Sequence, residues 1–153
     1  MTTYVDSSAL LPVYVTEQFS EAADSELRSA GQTPFTAIHQ LEVPNALERL
    51  VGRKLMSREE WRLVQRQLRD DLDRQRLMPI VLDLDDVFTR AGELSRVYAA
   101  KHLARSLDLL HVAAAHAAMC TKFVSADDRQ LAVAKATGLA TVDIKRSGRR
   151  QKR

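Results

Sequence analysis

Lys122-Phe-Val-Ser-Ala-Asp-Asp-Arg-Gln-Leu-Ala-Val-Ala-Lys-Ala-Thr-Gly-Leu-Ala-Thr-Val-Asp-Ile144 reads as strand, helix, strand within 23 residues. Lys122 to Ser125 is β-rich, the stretch from about Arg129 to Thr137 is helical, Gly138 ends it, and Ala140 to Ile144 is apolar and β-branched again. Two strands joined through a helix are expected to run parallel, because such a crossover can return the chain in the same direction. The rest of the chain repeats the alternation. Thr2 to Val5 is a short strand that stops at Asp6, and Ala9 to Val15 continues apolar. Ser20 to Ser29 reads as a helix closed by Gly31, and Thr33 to Thr36 as a strand. Val43, Leu47, Leu50 and Val51 have helical spacing from about Glu42, with Pro44 expected in the first turn, where its missing N–H does no harm.

Ser57 and Glu60 have the spacing of a capping box, and Trp61, Val64, Leu68 and Leu72 follow as an amphipathic stripe to about Arg74. This helical hairpin around Gly52 is rich in Arg, interspersed with acids that make a salt-bridged exposed face. Met78 to Leu82 reads as a buried strand, Asp85 or Asp86 as the cap of the next helix, and Ser106 as the cap of an apolar helix from Leu107 to Met119. Strands that alternate with helices, singly or in pairs, predict an α/β fold: a three-layer α/β/α sandwich around a central, mainly parallel sheet. Ligands of such sheets sit beyond the carboxyl ends of the strands, where Asp6 and Asp127 fall.

The 153 residues suit one domain. At 45% hydrophobic and 28% charged, the composition excludes disorder, collagen and coiled coil. A single cysteine, Cys120, and four histidines without paired spacing argue against an internal disulfide and against zinc. No run free of Asp, Glu, Lys and Arg is longer than Leu109 to Thr121, which is too short to cross a bilayer, and the opening residues lack a signal-peptide pattern. A cytoplasmic protein with no membrane partner is expected. Six of the 23 Lys and Arg residues fall in 145–153, which holds no acid; the other 17 face 20 acids, so residues 1–144 carry a net charge of −3. The division expected is a folded domain over 1–144 and a basic, disordered tail over 145–153. No phosphate-binding glycine loop and no nucleophile elbow are present.

Two acids stand among apolar neighbours: Asp108 between Leu107 and Leu109, and Glu42 between Leu41 and Val43. A carboxylate in such a stretch is costly unless a partner or a cation compensates it. Taken singly, each acid could equally be a cap or a solvated side chain. Tyr4-Val-Asp-Ser-Ser-Ala-Leu-Leu11, Ile38-His-Gln-Leu-Glu-Val43, Arg105-Ser-Leu-Asp-Leu-Leu-His-Val-Ala-Ala-Ala115 and Phe123-Val-Ser-Ala-Asp-Asp128 occur in the order of a PIN domain, and the chain resembles a VapC-type toxin ribonuclease over about residues 2–144.

That resemblance implies a Mg²⁺-dependent endoribonuclease, with Mn²⁺ as the other cation that oxygen ligands suit. It places Asp6 and Asp108 as principal metal ligands, with Glu42 and Asp127 completing the site and Asp128 as the alternative to Asp127. Ser7, Ser8 and Ser125 are hydroxyls suited to orienting the carboxylates. Arg49, Arg53, Lys54 and Arg105 are the candidates for RNA contact. Implied partners are RNA, a cognate antitoxin protein and a second copy of the chain as a homodimer. His111, three residues after Asp108, reads as a packed, hydrogen-bonded structural histidine. A PIN-like module that binds RNA or protein without cutting, and a nuclease of RNA processing, are the competing readings; the presence of all four acids disfavours the first.

Overall fold

The structure, a computed structural model, describes residues 2–146. Five short strands, β1 (Thr3–Val5), β2 (Thr33–Phe35), β3 (Leu77–Pro79), β4 (Lys122–Ser125) and β5 (Ala140–Asp143), are all parallel where they pair. Backbone ladders join β1, β4 and β5 in that order, with Tyr4 opposite Phe123 and Val124 opposite Val142, and separately join β2 to β3. Side chains bridge the two ladders. Thr33 Oγ1 donates to the Thr3 carbonyl at 2.8 Å and His39 Nε2 to the Val5 carbonyl at 2.9 Å. The strand sequence across the molecule is therefore 3-2-1-4-5, which reverses direction between β1 and β4.

The helices are α1 (Ser7–Tyr14), α2 (Ser20–Ala30), α3 (Ala37–Gly52), α4 (Arg58–Asp73), α5 (Leu84–Leu94), α6 (Ala100–His102), α7 (Ser106–Ala117) and α8 (Asp128–Ala136). A π-helical turn, Ser95–Ala99, links α5 to α6. The period-two alternation of the central strands divides the core. Tyr4 and Phe123, stacked with ring centroids 5.5 Å apart, face Val87, Leu109, Val112 and Val133 from α5, α7 and α8. Val5 and Val124 face Leu10, Leu27, Leu47, Val64 and Leu68 from α1 to α4. Each such side chain taken fully from water stabilises the fold by about 1.5–3 kcal/mol, so both helix layers are fixed to the sheet. The expected α/β/α architecture is what forms.

Several local expectations are corrected. α3 starts at Ala37, five residues before Glu42, because Thr36 and His39 form its cap: the Thr36 N–H donates to His39 Nδ1 at 3.1 Å. A histidine does there what Glu or Gln usually does. Pro44 consequently sits inside the helix rather than in its first turn. The third strand is shorter and displaced, ending at Pro79, and Val81 is fully exposed rather than buried. α5 is capped by Asp83, whose Oδ1 accepts from the N–H groups of Asp85 and Asp86, the two residues expected to do it. Ser106 is the first residue of α7, not its cap; the preceding Arg105 holds that position.

The α4 capping box is formed as expected, with Ser57 N–H on Glu60 Oε2 at 2.6 Å and Glu60 N–H on Ser57 Oγ at 3.1 Å. Gly31 and Gly138, with φ of +70° and +93°, terminate α2 and α8 in conformations that other residues rarely adopt. The basic segment lies outside the described residues from 147 onward. Lys145 and Arg146 pair with Asp128 at 3.0 Å and Asp143 at 3.3 Å.

Candidate functional site

The direction of strand order changes between β1 and β4, and an open α/β sheet forms its ligand crevice at the carboxyl ends of the strands flanking such a reversal. Asp6 is the residue after β1 and caps α1, its Oδ1 accepting from the Ala9 N–H at 3.0 Å. Asp127 follows β4 by two residues and caps α8, its Oδ1 accepting from Arg129 and Gln130 N–H groups at 2.9 and 3.2 Å. Each strand end thus supplies a carboxylate because each following helix needs an acceptor at its start.

Asp108 arrives from α7, where its Oδ2 accepts from the Arg105 N–H at 2.8 Å and so completes that helix start. Glu42 arrives from the second turn of α3. The two serines after Asp6 divide their work. Ser8 Oγ lies 2.9 Å from both Asp6 oxygens and accepts from the Ala126 N–H at 3.0 Å, tying β1 to the loop after β4. Ser7 Oγ donates to Glu42 Oε2 at 3.1 Å. Ser125 accepts from the Asp127 N–H at 2.9 Å and donates to Gln130 Oε1 at 2.8 Å, which orients the Asp127 loop.

Electrostatics separates the acids. Asp6 is 3% exposed, and burial raises its pKa to about 6 against the opposing pull of His111 and the Ser8 hydroxyl. Among the described residues no Lys or Arg forms an ion pair with it. For Glu42 desolvation is the largest influence and opposes ionisation, but hydrogen bonds and charge from His111, with Ser7, together hold it below the usual carboxylate range. Asp127 faces Arg105, whereas Asp128, 70% exposed, pairs with Lys145, so Asp127 is the one turned toward the other acids.

His111 is the residue whose reach the sequence did not disclose. It is buried and hydrogen-bonded, as expected, but its partners are the site itself. Nε2 bonds Glu42 Oε2, and Nδ1 lies 2.9 Å from the Tyr4 hydroxyl. Against a carboxylate Nε2 carries a proton and donates it. The one available signal was its spacing, a single turn after Asp108. His39 is its neighbour and is neutral: burial first, then His111, push its pKa down to about 3.

Of the basic candidates, Arg105 is at the carboxylates. Its Nε lies 3.2 Å from Asp108 Oδ2 and its Nη2 lies 3.2 Å from Asp127 Oδ2. Arg49 and Arg53 lie two and three turns further along α3 from Glu42, roughly 10 and 16 Å down the helix axis. Lys54 lies in the α3–α4 turn with φ of +59°.

Oxygen-only donors fit a hard divalent cation such as Mg²⁺ or Mn²⁺. One feature of the structure fits one as well: Asp6 is a buried acid with no ion-pair partner among the described residues. Among the described residues no three His, Cys, Asp or Glu side chains are drawn together tightly enough to hold a metal. The acids are linked through shared partners: Ser7 and His111 on Glu42, and Arg105 between Asp108 and Asp127.

A model of the PIN domain matches residues 3–136, almost the whole described chain, and the protein belongs to the PIN-domain family. PIN domains are generally metal-dependent nucleases. No curated protein matches the chain. No helix among the described residues is long and apolar enough to cross a membrane.

Proposed function

We propose that the chain is a Mg²⁺-dependent endoribonuclease and the toxin component of a VapC-type toxin–antitoxin pair. What supports the proposal is the set of contacts on four acids from different elements: Ser8 on Asp6, Ser7 and His111 on Glu42, and Arg105 between Asp108 and Asp127, with Asp6 and Asp127 at the carboxyl ends of β1 and β4. Asp6 and Asp108 would be the principal ligands, with Glu42 and Asp127 completing the set. What a divalent cation supplies among such ligands is Lewis acidity, which makes an attacking water more acidic and neutralises charge growing on the leaving oxygen. The chain's own part is orientation. Ser8 holds Asp6, Ser7 and His111 hold Glu42, and the α7 and α8 caps hold Asp108 and Asp127. Hydrolysis by this route leaves 5′-phosphate and 3′-hydroxyl ends.

The antitoxin would cover apolar surface beside the helical hairpin. Leu55 and Leu63 are exposed there, over a cavity of about 300 Å³ lined also by Tyr14, Val15 and Met56. A homodimer and a cytoplasmic location complete the proposal. Controlled expression in a bacterial host without the antitoxin tests it. Growth is expected to stop with the wild-type chain and to continue with Asp108→Asn at equal protein level. Equal arrest by both would refute the proposal.

A further inference from the structure

Arg105 makes contacts that an RNA-binding arginine on a free rim would not make. One guanidinium spans two acids from different elements: Nε reaches Asp108 Oδ2 at 3.2 Å, and Nη2 reaches Asp108 Oδ1 at 3.3 Å and Asp127 Oδ2 at 3.2 Å. The planar fork carries donors only, so its placement consumes carboxylate lone pairs that a metal ion would need. Asp108 is only 8% exposed in its side chain, so some cation must compensate it, whether the guanidinium or a metal ion.

Resting on the metal-site reading above, we propose that Arg105 is an internal counter-cation that bridges Asp108 and Asp127 in the metal-free protein and is displaced when a divalent cation binds. Three features make the displacement feasible. The Arg105 side chain is 67% exposed, so the guanidinium can leave into water. It lies in the connection Leu103–Arg105 between α6 and α7, outside either helix. The start of α7 depends on the backbone N–H of Arg105, bonded to Asp108 at 2.8 Å, so the side chain can swing away while the cap remains. Two cations that compete for the same oxygens are linked. The guanidinium weakens apparent metal affinity by the fraction of molecules it holds closed, and the metal must loosen the guanidinium equally.

The test titrates Mn²⁺ into EDTA-stripped, dialysed full-length protein, following free Mn²⁺ by electron paramagnetic resonance. Wild type is compared with Arg105→Lys, Arg105→Ala and Arg129→Ala. Lys keeps the charge but cannot fork across two carboxylates. Arg129, on the first turn of α8 with its guanidinium on the Leu103 carbonyl at 3.5 Å, supplies a charge deletion outside the bridge. The expected result is Mn²⁺ binding on the order of tenfold tighter in both Arg105 variants, equivalent to about 1.4 kcal/mol, with a much smaller change in Arg129→Ala. In ¹H–¹⁵N spectra of the wild type, the Arg105 Nε–H resonance should move to the position of a free guanidinium as Mg²⁺ saturates the protein. Tightening in Arg105→Ala but not in Arg105→Lys would mean a general charge effect and would overturn the bridge. So would an Arg105 resonance indifferent to Mg²⁺. Binding by wild type with no gain in either variant defeats the counter-cation alone, whereas no binding by any of the four proteins defeats the metal-site reading with it.

Discussion

Replacing Asp6 by Asn removes one charge and almost no volume, and the structure makes the consequence for stability calculable. Burial raises the Asp6 pKa from 3.8 to about 6. Between those values the folded chain holds a proton that the unfolded chain has released, so this group makes stability fall as pH rises through the window, and the full cost is present above pH 6. A shift of about two units corresponds to about 3 kcal/mol. Asn keeps the cap on Ala9, since it caps helices as well as Asp does. Its NH₂ meets the Ser8 hydroxyl that donated to the carboxylate, so part of the gain is lost. We expect Asp6→Asn to be about 1–3 kcal/mol more stable than wild type at pH 7.5 in EDTA, which for a chain of this length raises Tm by roughly 2–12 °C. The difference should shrink toward zero near pH 4, where wild type carries the proton itself. His39 acts in the opposite sense in both proteins: buried with a pKa of about 3, it makes the fold lose stability as pH falls below about 6.5. With Asp6 gone, nothing at that position offsets this loss, and the acid limb of Asp6→Asn should be the steeper one. Thermal unfolding by circular dichroism from pH 4 to 8 reads both effects. An Asp6→Asn protein that melts below wild type at pH 7.5, or whose advantage is the same at pH 4.5, would mean that Asp6 carries no buried charge of this cost.

Asp71, 6% exposed, is held by the Tyr14 hydroxyl at 2.7 Å and by Arg76 at 2.9 Å, and burial, then the hydrogen bond and charge of Asp71, push the Tyr14 pKa up. Tyr14→Phe should lower stability by about 1–3 kcal/mol in urea unfolding, and an unchanged midpoint would show that Asp71 finds another donor. Asp127→Ala removes the α8 cap as well as a site carboxylate, so it should cost about 1 kcal/mol and abolish RNA cleavage. Asp128→Ala should do neither, and the reverse pattern would exchange their roles.

The alternation of strands and helices was legible because β-branched runs and capping residues mark both kinds of element locally. The parallel sheet followed from the crossover at Lys122–Ile144. What sequence missed were the places where a side chain took an unfamiliar part: His39 in a capping box, Pro44 within α3, Pro79 at the end of β3. Position alone marked the carboxylates only weakly, Asp6 and Asp127 at strand ends and Asp108 and Glu42 within apolar stretches; the resemblance to PIN domains is what grouped the four. Their partners were not marked at all. The Tyr4–His111–Glu42 chain joins residues up to 107 positions apart, and the Arg105 bridge spans 22, separations across which a local pattern carries no information.

The most direct test of the nuclease assignment incubates EDTA-stripped protein with total RNA and added Mg²⁺ or Mn²⁺, beside Asp6→Asn and an EDTA control. Because the variant is expected to be the more stable protein, loss of activity cannot be charged to unfolding. Wild type should give discrete fragments with 5′-phosphate ends, and neither control should give any. Cleavage that survives EDTA or the substitution would contradict the assignment, and a folded, metal-loaded protein that binds RNA and leaves it intact would make the chain a binding module.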